Sequence, residues 1–307
     1  MQLPPVTAPL AAQVSALRDG VGLLALPELA AVSVRGRDRL TWLNGMITND
    51  VRSLAAGRGV YAAVVGLKGK VITDVYAEGR DDETLLVMPA SRVEEVLAHF
   101  DRYIVMEDVY VARREGAVVT LQGPKAAALA ARFAPCAAAD RLGRGGVDLV
   151  LEEGDARFEA LQTLAADGAV TAVSPEAWEV ARVEAGVAAF ERDFDTNHFV
   201  QEAGVTRRAV SFQKGCYLGQ EVVCRLEMRG HVQKSLIGMV VEGDAPAVGD
   251  TVFADDKDVG RVTSAAPSVT LPGRAVALAM VRQAVIEAGG PVSVNGARAT
   301  LTLRPVP

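Results

Sequence analysis

Residues 211–221 read Ser211-Phe212-Gln213-Lys214-Gly215-Cys216-Tyr217-Leu218-Gly219-Gln220-Glu221. One cysteine stands between two glycines, with a lysine two positions before it and a tyrosine directly after. The run that follows, Glu221 to Met228, has the pattern of a helix, so Gly219 falls near its start and Gln220 and Glu221 in its first turn. A thiol beside a helix N-terminus and a lysine feels two positive influences, and both favour the thiolate. Glycines here let the backbone bend tightly and let another molecule approach closely. Cys216 is therefore read as a functional thiol in preference to a small buried hydrophobe.

A chain of 307 residues is too long for one small core and implies two or three domains. Apolar residues make up 50% and charged residues 23%, a globular balance that argues against disorder. A formal net charge of -6 argues against a dedicated nucleic-acid surface, while leaving room for a local basic patch that takes a small anion. No stretch approaches the roughly 20 uninterrupted apolar residues of a membrane span. Met1 to Gly20 lacks the basic segment and apolar core of a secretory signal, so a cytoplasmic location is expected. The three cysteines, Cys136, Cys216 and Cys224, form no CxxC pair, and an odd number argues against a disulfide framework. They are also too few for an ordinary four-cysteine iron–sulfur site. His99, His198 and His231 lie far apart, which disfavours zinc chemistry and a Ser-His-Asp relay; no metal site is expected.

Outward from the motif, the chain alternates strands and helices without a dinucleotide fingerprint, an α+β pattern. Pro9 to Arg18 reads as a helix, Ala31 to Val34 as a strand, and Arg37 to Met46 as a helix that buries Trp42. Val60–Val65 and Val71–Ala77 read as a hairpin across Gly66-Leu67-Lys68-Gly69-Lys70; the glycine spacing and the missing Ser or Thr rule out a phosphate loop. On its second strand Asp74 lies in a largely apolar run, either facing solvent by alternation or turned into a pocket. Thr84–Met88 continues the pattern, and Ser91 is expected to cap a helix running to about Arg102. A second, split βαβ-like block runs from about Asp108 to Val173. Ser174-Pro175-Glu176 is a strong helix start, and that helix should stop at Gly186. Glu184 near its end is disfavoured by the macrodipole, so it has a specific partner or is an ordinary surface acid. After Gly230, short strands separated by Gly, Pro and Asp read as a small all-β barrel or sandwich.

Lys214-Gly215-Cys216-Tyr217-Leu218-Gly219-Gln220-Glu221 matches the KGCYxGQE signature of the YgfZ-type branch of the glycine-cleavage T-protein (aminomethyltransferase-like) superfamily, and the whole chain resembles the folate-binding members of that superfamily. Supporting matches are Thr48-Asn49-Asp50-Val51, Leu121-Gln122-Gly123-Pro124, Arg182-Val183-Glu184-Ala185-Gly186 and Gly260-Arg261-Val262-Thr263-Ser264. The resemblance implies a three-domain cloverleaf around a central channel: residues 1–106 with 174–230 as a folate-binding α+β domain, 107–173 as a second α+β domain, and 231–307 as a C-terminal β-barrel. It implies tetrahydrofolate, or a one-carbon derivative, bound in the channel. Asp74 would face its reactive nitrogens, Glu184 would hold the pterin ring, and Tyr217 would shape the site or donate a hydrogen bond. Cys216 would act as an exposed thiol near the channel, with Lys214 lowering its pKa. The GYTGE element of the T-protein is missing at Leu142-Gly143-Arg144-Gly145-Gly146-Val147, and the T-protein has no cysteine at the position of Cys216. Both departures point to the branch that supports assembly or repair of iron–sulfur clusters, notably in radical enzymes that modify tRNA. Iron–sulfur client enzymes are then the expected partners, with no direct nucleic acid and no membrane. The alternative is a folate-dependent aminomethyltransferase of glycine-cleavage type.

Overall fold

The computed structural model describes residues 3–303 and 305–306. The first sheet is antiparallel throughout, in the order β3 (Gly59–Val65), β4 (Val71–Gly79), β5 (Glu83–Pro89), β2 (Leu29–Arg35) and β6 (Tyr110–Arg114). Period-2 alternation turns Val32, Val34, Val64, Val75 and Ala77 to one face, where the helices Arg39–Met46 and Val93–Asp101 cover them with Leu43, Met46, Val96 and Phe100. Trp42 takes the core position expected of it, edge-on to Phe100, with its indole N–H donating to the Tyr103 carbonyl.

The second sheet runs β10 (Thr171–Ala172), β1 (Gly22–Ala25), β7 (Ala117–Gln122), β9 (Gly146–Leu151) and β8 (Ala137–Ala138). Leu23, Leu121, Val147 and Leu149 form its core beneath Phe133, Leu161 and Leu164. Two segments depart from the boundaries expected at 106/107. Strand β1 pairs with β7 and β10, so it belongs to the second sheet, while β6 pairs with β2 in the first. The two units thus exchange strands. Gly22–Ala25 is too short to show a period, and strand pairing is non-local, so local patterning cannot assign either segment. Ser91 also departs from expectation. It lies in a short 3₁₀ turn, Ala90–Arg92, and its hydroxyl donates to Glu191 Oε1 at 2.8 Å instead of capping the helix.

The third unit is a closed barrel of β11 (Lys234–Glu242), β14 (Arg274–Arg282), β13 (Lys257–Pro267), β12 (Thr251–Ala254), β15 (Val292–Val294) and β16 (Ala297–Thr302), with β16 returning to β11. Asp255 and Asp256 make the β12–β13 turn, both with positive φ.

All three units meet on one helix, Pro175–Glu184. Ser174 caps it, its Oγ accepting from the Ala177 N–H at 3.1 Å, and Pro175 opens it. Ala177, Val180, Ala181 and Val183 share a core with Val14 and Leu17 of the Leu10–Asp19 helix. Tyr76 and Val87 of the first sheet, Val118 and Val150 of the second, and Val276 and Leu278 of the barrel complete that core. Each fully buried aliphatic side chain there contributes about 1.5–3 kcal/mol. Two glycines join the β3–β4 hairpin to the Cys216 segment. Gly219 has φ +78° and a Cβ there would meet the Gly66 carbonyl at 2.4 Å. Gly69 has φ +73° and a Cβ there would meet Val222 at 2.8 Å. The hairpin turn and the start of the Gln220–Arg229 helix are therefore locked against each other.

Candidate functional site

Because Val75 and Ala77 face the first core, Asp74 and Tyr76 on β4 face the opposite way, toward the central helix. Tyr61 on β3 is the register partner of Tyr76, which leaves Asp74 on the diagonal within reach of its phenol. The Tyr61 hydroxyl donates to Asp74 Oδ2 at 2.9 Å, and the two tyrosine rings lie 5.1 Å apart. Arg208 donates to the Tyr76 hydroxyl at 2.8 Å and lies 5.2 Å from the centre of the Tyr61 ring. Arg141 lies 4.5 Å from the centre of the Tyr76 ring and is fixed by Asp148, with bonds of 3.2 and 2.9 Å from its Nε. The Arg141 backbone N–H donates to the side-chain carbonyl of buried Gln122 at 2.9 Å, so the matched Leu121–Pro124 segment sets this arginine in place.

These groups line a cavity of about 540 Å³, closed by Trp178 and Glu179 of the central helix and by Phe190. Its size falls within the ~300–1,000 Å³ of small-molecule sites. Asp74 is half-buried, partly open to the cavity but enclosed by protein around it. Burial pushes its carboxyl up from the ordinary value, against the downward pull of the Tyr61 hydrogen bond and of Arg141 and Arg208. Burial, followed by the Asp74 charge, drives the Tyr61 phenol well above its usual range, so it stays a donor. The Tyr76 phenol is pushed up to about 12 by burial, against Arg208 and Arg141. Burial also acts to raise Glu179, but its bonds to Arg182 and the nearby Arg192 hold it below the ordinary carboxylate value.

The other expected site residues lie elsewhere. Glu184 does not line this cavity. Its carboxylate accepts from Ser268 Oγ at 2.6 Å, from the Val269 and Thr270 N–H groups at 3.0 and 2.9 Å, and from Thr270 Oγ1 at 2.9 Å, tying the helix end to the β13–β14 loop. Its partner within the chain is thus the barrel loop. Arg182 makes a parallel joint, donating to Glu179, Asp193, Ser264 and the Val187 carbonyl. The ammonium of Lys214 donates to the Ile47 and Asn49 carbonyls, both at 2.7 Å, away from any bond to the thiol. Burial pulls it down to about 8, with Asp50 opposing and Arg52 assisting. Tyr217 is buried among Val65, Val200 and Val223, and its hydroxyl finds no hydrogen-bond partner among the described residues. Burial pushes this phenol well above its ordinary value. Cys216 is exposed, as expected, but it does not line the Asp74 cavity. Sequence reading missed Tyr61, Tyr76, Arg141 and Arg208. The hairpin register carried a signal for Tyr61, whereas the arginines arrive from distant segments with none. Among the described residues no group of three His, Cys, Asp or Glu is placed to hold a metal ion, and no helix is long and apolar enough to cross a membrane.

A cavity at the junction of two α+β units and a closed barrel defines a T-protein-type cloverleaf. Residues 4–141 match the GCVT N-terminal domain, and residues 234–307 match the glycine cleavage T-protein C-terminal barrel domain. An aminomethyltransferase of Rubrobacter xylanophilus is 30% identical over an alignment covering 100% of this chain and 86% of that protein. The tRNA-modifying protein YgfZ of Yersinia enterocolitica is 28% identical, covering 93% of this chain and 92% of that protein. The crystal structure of the glycine cleavage system aminomethyltransferase T from Bartonella henselae has the same fold, with a TM-score of 0.84 at 20% identity, covering 98% of this chain and 91% of that one. The chain belongs to the glycine cleavage T-protein family.

Proposed function

We propose that this chain binds tetrahydrofolate, or a one-carbon derivative, in the Asp74 cavity and supports assembly or repair of iron–sulfur clusters, including those of radical enzymes that modify tRNA. The observation that carries the reading is Asp74 itself, a carboxylate with one oxygen held by Tyr61, set in a cavity of about 540 Å³ with aromatic walls. A pterin is flat and presents an amino group and ring N–H donors, which suits an acid acceptor beside Tyr61, Trp178 and Phe190. When bound, tetrahydrofolate supplies the nitrogens that carry a one-carbon unit. The protein's part is to hold and orient. Tyr61 fixes Asp74 Oδ2 and leaves Oδ1 to meet the ligand, while Arg141 and Arg208 temper the buried charge. A carboxyl raised by burial can accept and return a proton at Oδ1. Cys216 acts separately, as an exposed thiol presented to client enzymes.

Calorimetric titration with tetrahydrofolate tests the pocket without assuming a reaction. Saturable binding is expected, weakened about tenfold or more in Asp74→Asn, which is ~1.4 kcal/mol or more. No saturable binding by the wild type overturns the proposal. For the thiol, cells carrying only the Cys216→Ala protein should lose cluster-enzyme activity; normal activity removes the thiol from the mechanism. The full-length likeness to an aminomethyltransferase favours a second reading, transfer of an aminomethyl group from a lipoyl carrier. Incubation with tetrahydrofolate and an aminomethylated lipoyl carrier decides it, since robust formation of methylene-tetrahydrofolate and ammonia would displace the first reading.

A further inference from the structure

Glu78 shares its face of β4 with Asp74 and Tyr76, since alternate residues of a strand point the same way. At this end of the strand the first two sheets close on each other. The register partner of Glu78 on β3 is Gly59, where any Cβ would collide with the Ala138 carbonyl of β8. The Ala138 N–H donates to the Gly57 carbonyl at 3.1 Å, and the Gly57 N–H donates to the Gly79 carbonyl at 3.0 Å. Glu78 is sealed at this seam with no exposed surface, and neither of its carboxyl oxygens has a hydrogen-bond partner among the described residues. The Arg80 guanidinium stands 3.7 Å away, too far for a hydrogen bond, and its side chain is 12% exposed, so solvent answers part of its charge. From the second unit, Asp148 of β9 brings another acid, which the Arg141 guanidinium holds. Cys136 precedes β8; burial raises its thiol, with the Glu78 charge adding and Arg157 of the helix Arg157–Ala166 opposing. Burial first, and the Asp148 charge second, push the Glu78 carboxyl well above its ordinary value, against Arg80 and Arg141.

A fully buried carboxylate without hydrogen bonds is a costly form for the group, and the neutral acid is far less so. We propose that Glu78 keeps its proton at neutral pH and so serves as a positioning residue for Arg141, leaving that guanidinium to one acid, Asp148, and to the cavity wall. Arg141 is the link between seam and cavity. It bonds Asp148, lies 4.5 Å from the centre of the Tyr76 ring and pulls on Asp74. An ionised Glu78 sets a second acid against the same guanidinium in a medium that screens charge poorly. Arg141 is then drawn toward the seam, and its hold on the Tyr76 ring and on Asp74 weakens. The proton on Glu78 is thus felt in the cavity although Glu78 does not line it. The ligand used to read that effect is taken from the folate reading, on which this part of the inference rests.

Infrared spectra of wild type and Glu78→Gln, taken from pH 7 upward, read the proton directly. Wild type should show the C=O band of a protonated carboxyl at pH 7; the band should fade as pH rises and be absent from Glu78→Gln. No band in wild type, or one of equal strength in Glu78→Gln, overturns the inference. The Tyr76 ring resonances report on Arg141 without any ligand. In wild type they should shift with the same midpoint as the band, and in Glu78→Gln they should stay flat over that range. Tyr76 resonances that ignore the Glu78 titration overturn the positioning role. Band and ring shift are both read on wild type, so they decide the matter even where Glu78→Gln fails to fold. Calorimetry with tetrahydrofolate adds the link to binding. Once Glu78 has ionised, wild type should lose about fivefold in affinity relative to its own value at pH 7, the low end of ordinary coupling between sites. Glu78→Gln should lose nothing beyond the ligand's own titration, and an equal loss in both proteins overturns the coupling. By reciprocity, bound tetrahydrofolate should raise the midpoint of the Glu78 band. Failure of wild type to bind tetrahydrofolate, with Tyr76 still following Glu78, strikes the folate reading and spares the positioning role.

Discussion

The Asp74 cavity and the Cys216 loop concentrate chemistry in opposite ways. Around Asp74, groups from three separate segments converge on one space: Tyr61 and Tyr76 from the hairpin, Arg141 from beyond the second sheet's edge, and Arg208 from the stretch before the motif. Around Cys216 the sequence neighbours diverge. Lys214 points inward to the Ile47 and Asn49 carbonyls and Tyr217 inward to an apolar cluster, which leaves the thiol on the surface. One region works by enclosure and the other by presentation. Polar residues beside a reactive group in sequence can therefore be its scaffold without touching its chemistry. The Gly69 and Gly219 contacts join the two, so the turn that leads into the Asp74 strand also fixes the helix behind Cys216.

The sharpest way to break this contrast is Glu184, expected at the cavity and found at a joint. Glu184→Ala leaves donors from Ser268, Val269 and Thr270 without their buried acceptor. Loss of a buried, multiply bonded carboxylate costs about 3–5 kcal/mol. Urea denaturation should show that loss, with tetrahydrofolate affinity of the folded variant unchanged. Unchanged stability with collapsed affinity would return Glu184 to the cavity. Lys214→Met should cost less, about 2 kcal/mol, because losing two bonds to backbone carbonyls is partly offset by relief of a buried charge. Its pH signature is specific. The folded lysine releases its proton near 8 and the unfolded one at its ordinary 10.5, so wild type binds fewer protons than its unfolded chain between those values. The stability this confers is fully present above 10.5 and is lost as pH falls through about 8. The wild-type advantage over Lys214→Met should accordingly grow from pH 8 to 10.5; a flat difference would place the ammonium in solvent.

Much of the molecule was legible because the matched segments turn out to be its joints. Thr48 donates to the Ala209 carbonyl, and Asn49 bridges the Tyr61 and Arg208 carbonyls, so the Thr48–Val51 segment clasps the hairpin to the approach of the motif. Arg182 reaches Ser264, joining the central helix to the Gly260–Ser264 segment of the barrel. A motif reports that its residues are constrained without saying whether by a ligand or by packing. That ambiguity shows in Asp74, which lines a cavity, beside Glu184, Lys214 and Tyr217, whose bonds and packing lie within the fold. The barrel was readable from short strands with Gly and Asp turns. Strand exchange between the first two units was not, because pairing of β1 with β7 and of β6 with β2 is set by tertiary packing. Arg141 and Arg208 were invisible as site residues for the same reason.

The smallest expected effect separates the two regions most cleanly. If Asp74 is held in its cavity for function, it should burden the fold. Its carboxyl is raised above the ordinary 3.8, chiefly by burial, so the folded protein binds its proton more readily than the unfolded chain. The associated stability is fully present below 3.8 and is lost as pH rises through the folded value, which leaves a charged and imperfectly compensated carboxylate at neutral pH. Asparagine keeps an oxygen to accept the Tyr61 hydroxyl and removes the charge. Asp74→Asn should therefore be more stable than wild type at pH 7 while binding tetrahydrofolate less well. Its stability advantage should fade as pH is lowered and vanish below 3.8. Paired urea denaturations across that range read the difference directly. An asparagine variant less stable than wild type at pH 7 would mean that Arg141 and Arg208 more than compensate the charge, making Asp74 a structural acid like Glu184. The Cys216 loop offers no such inversion, because its exposed thiol lies outside the bonds that hold the loop, and Cys216→Ala should leave stability at pH 7 unchanged.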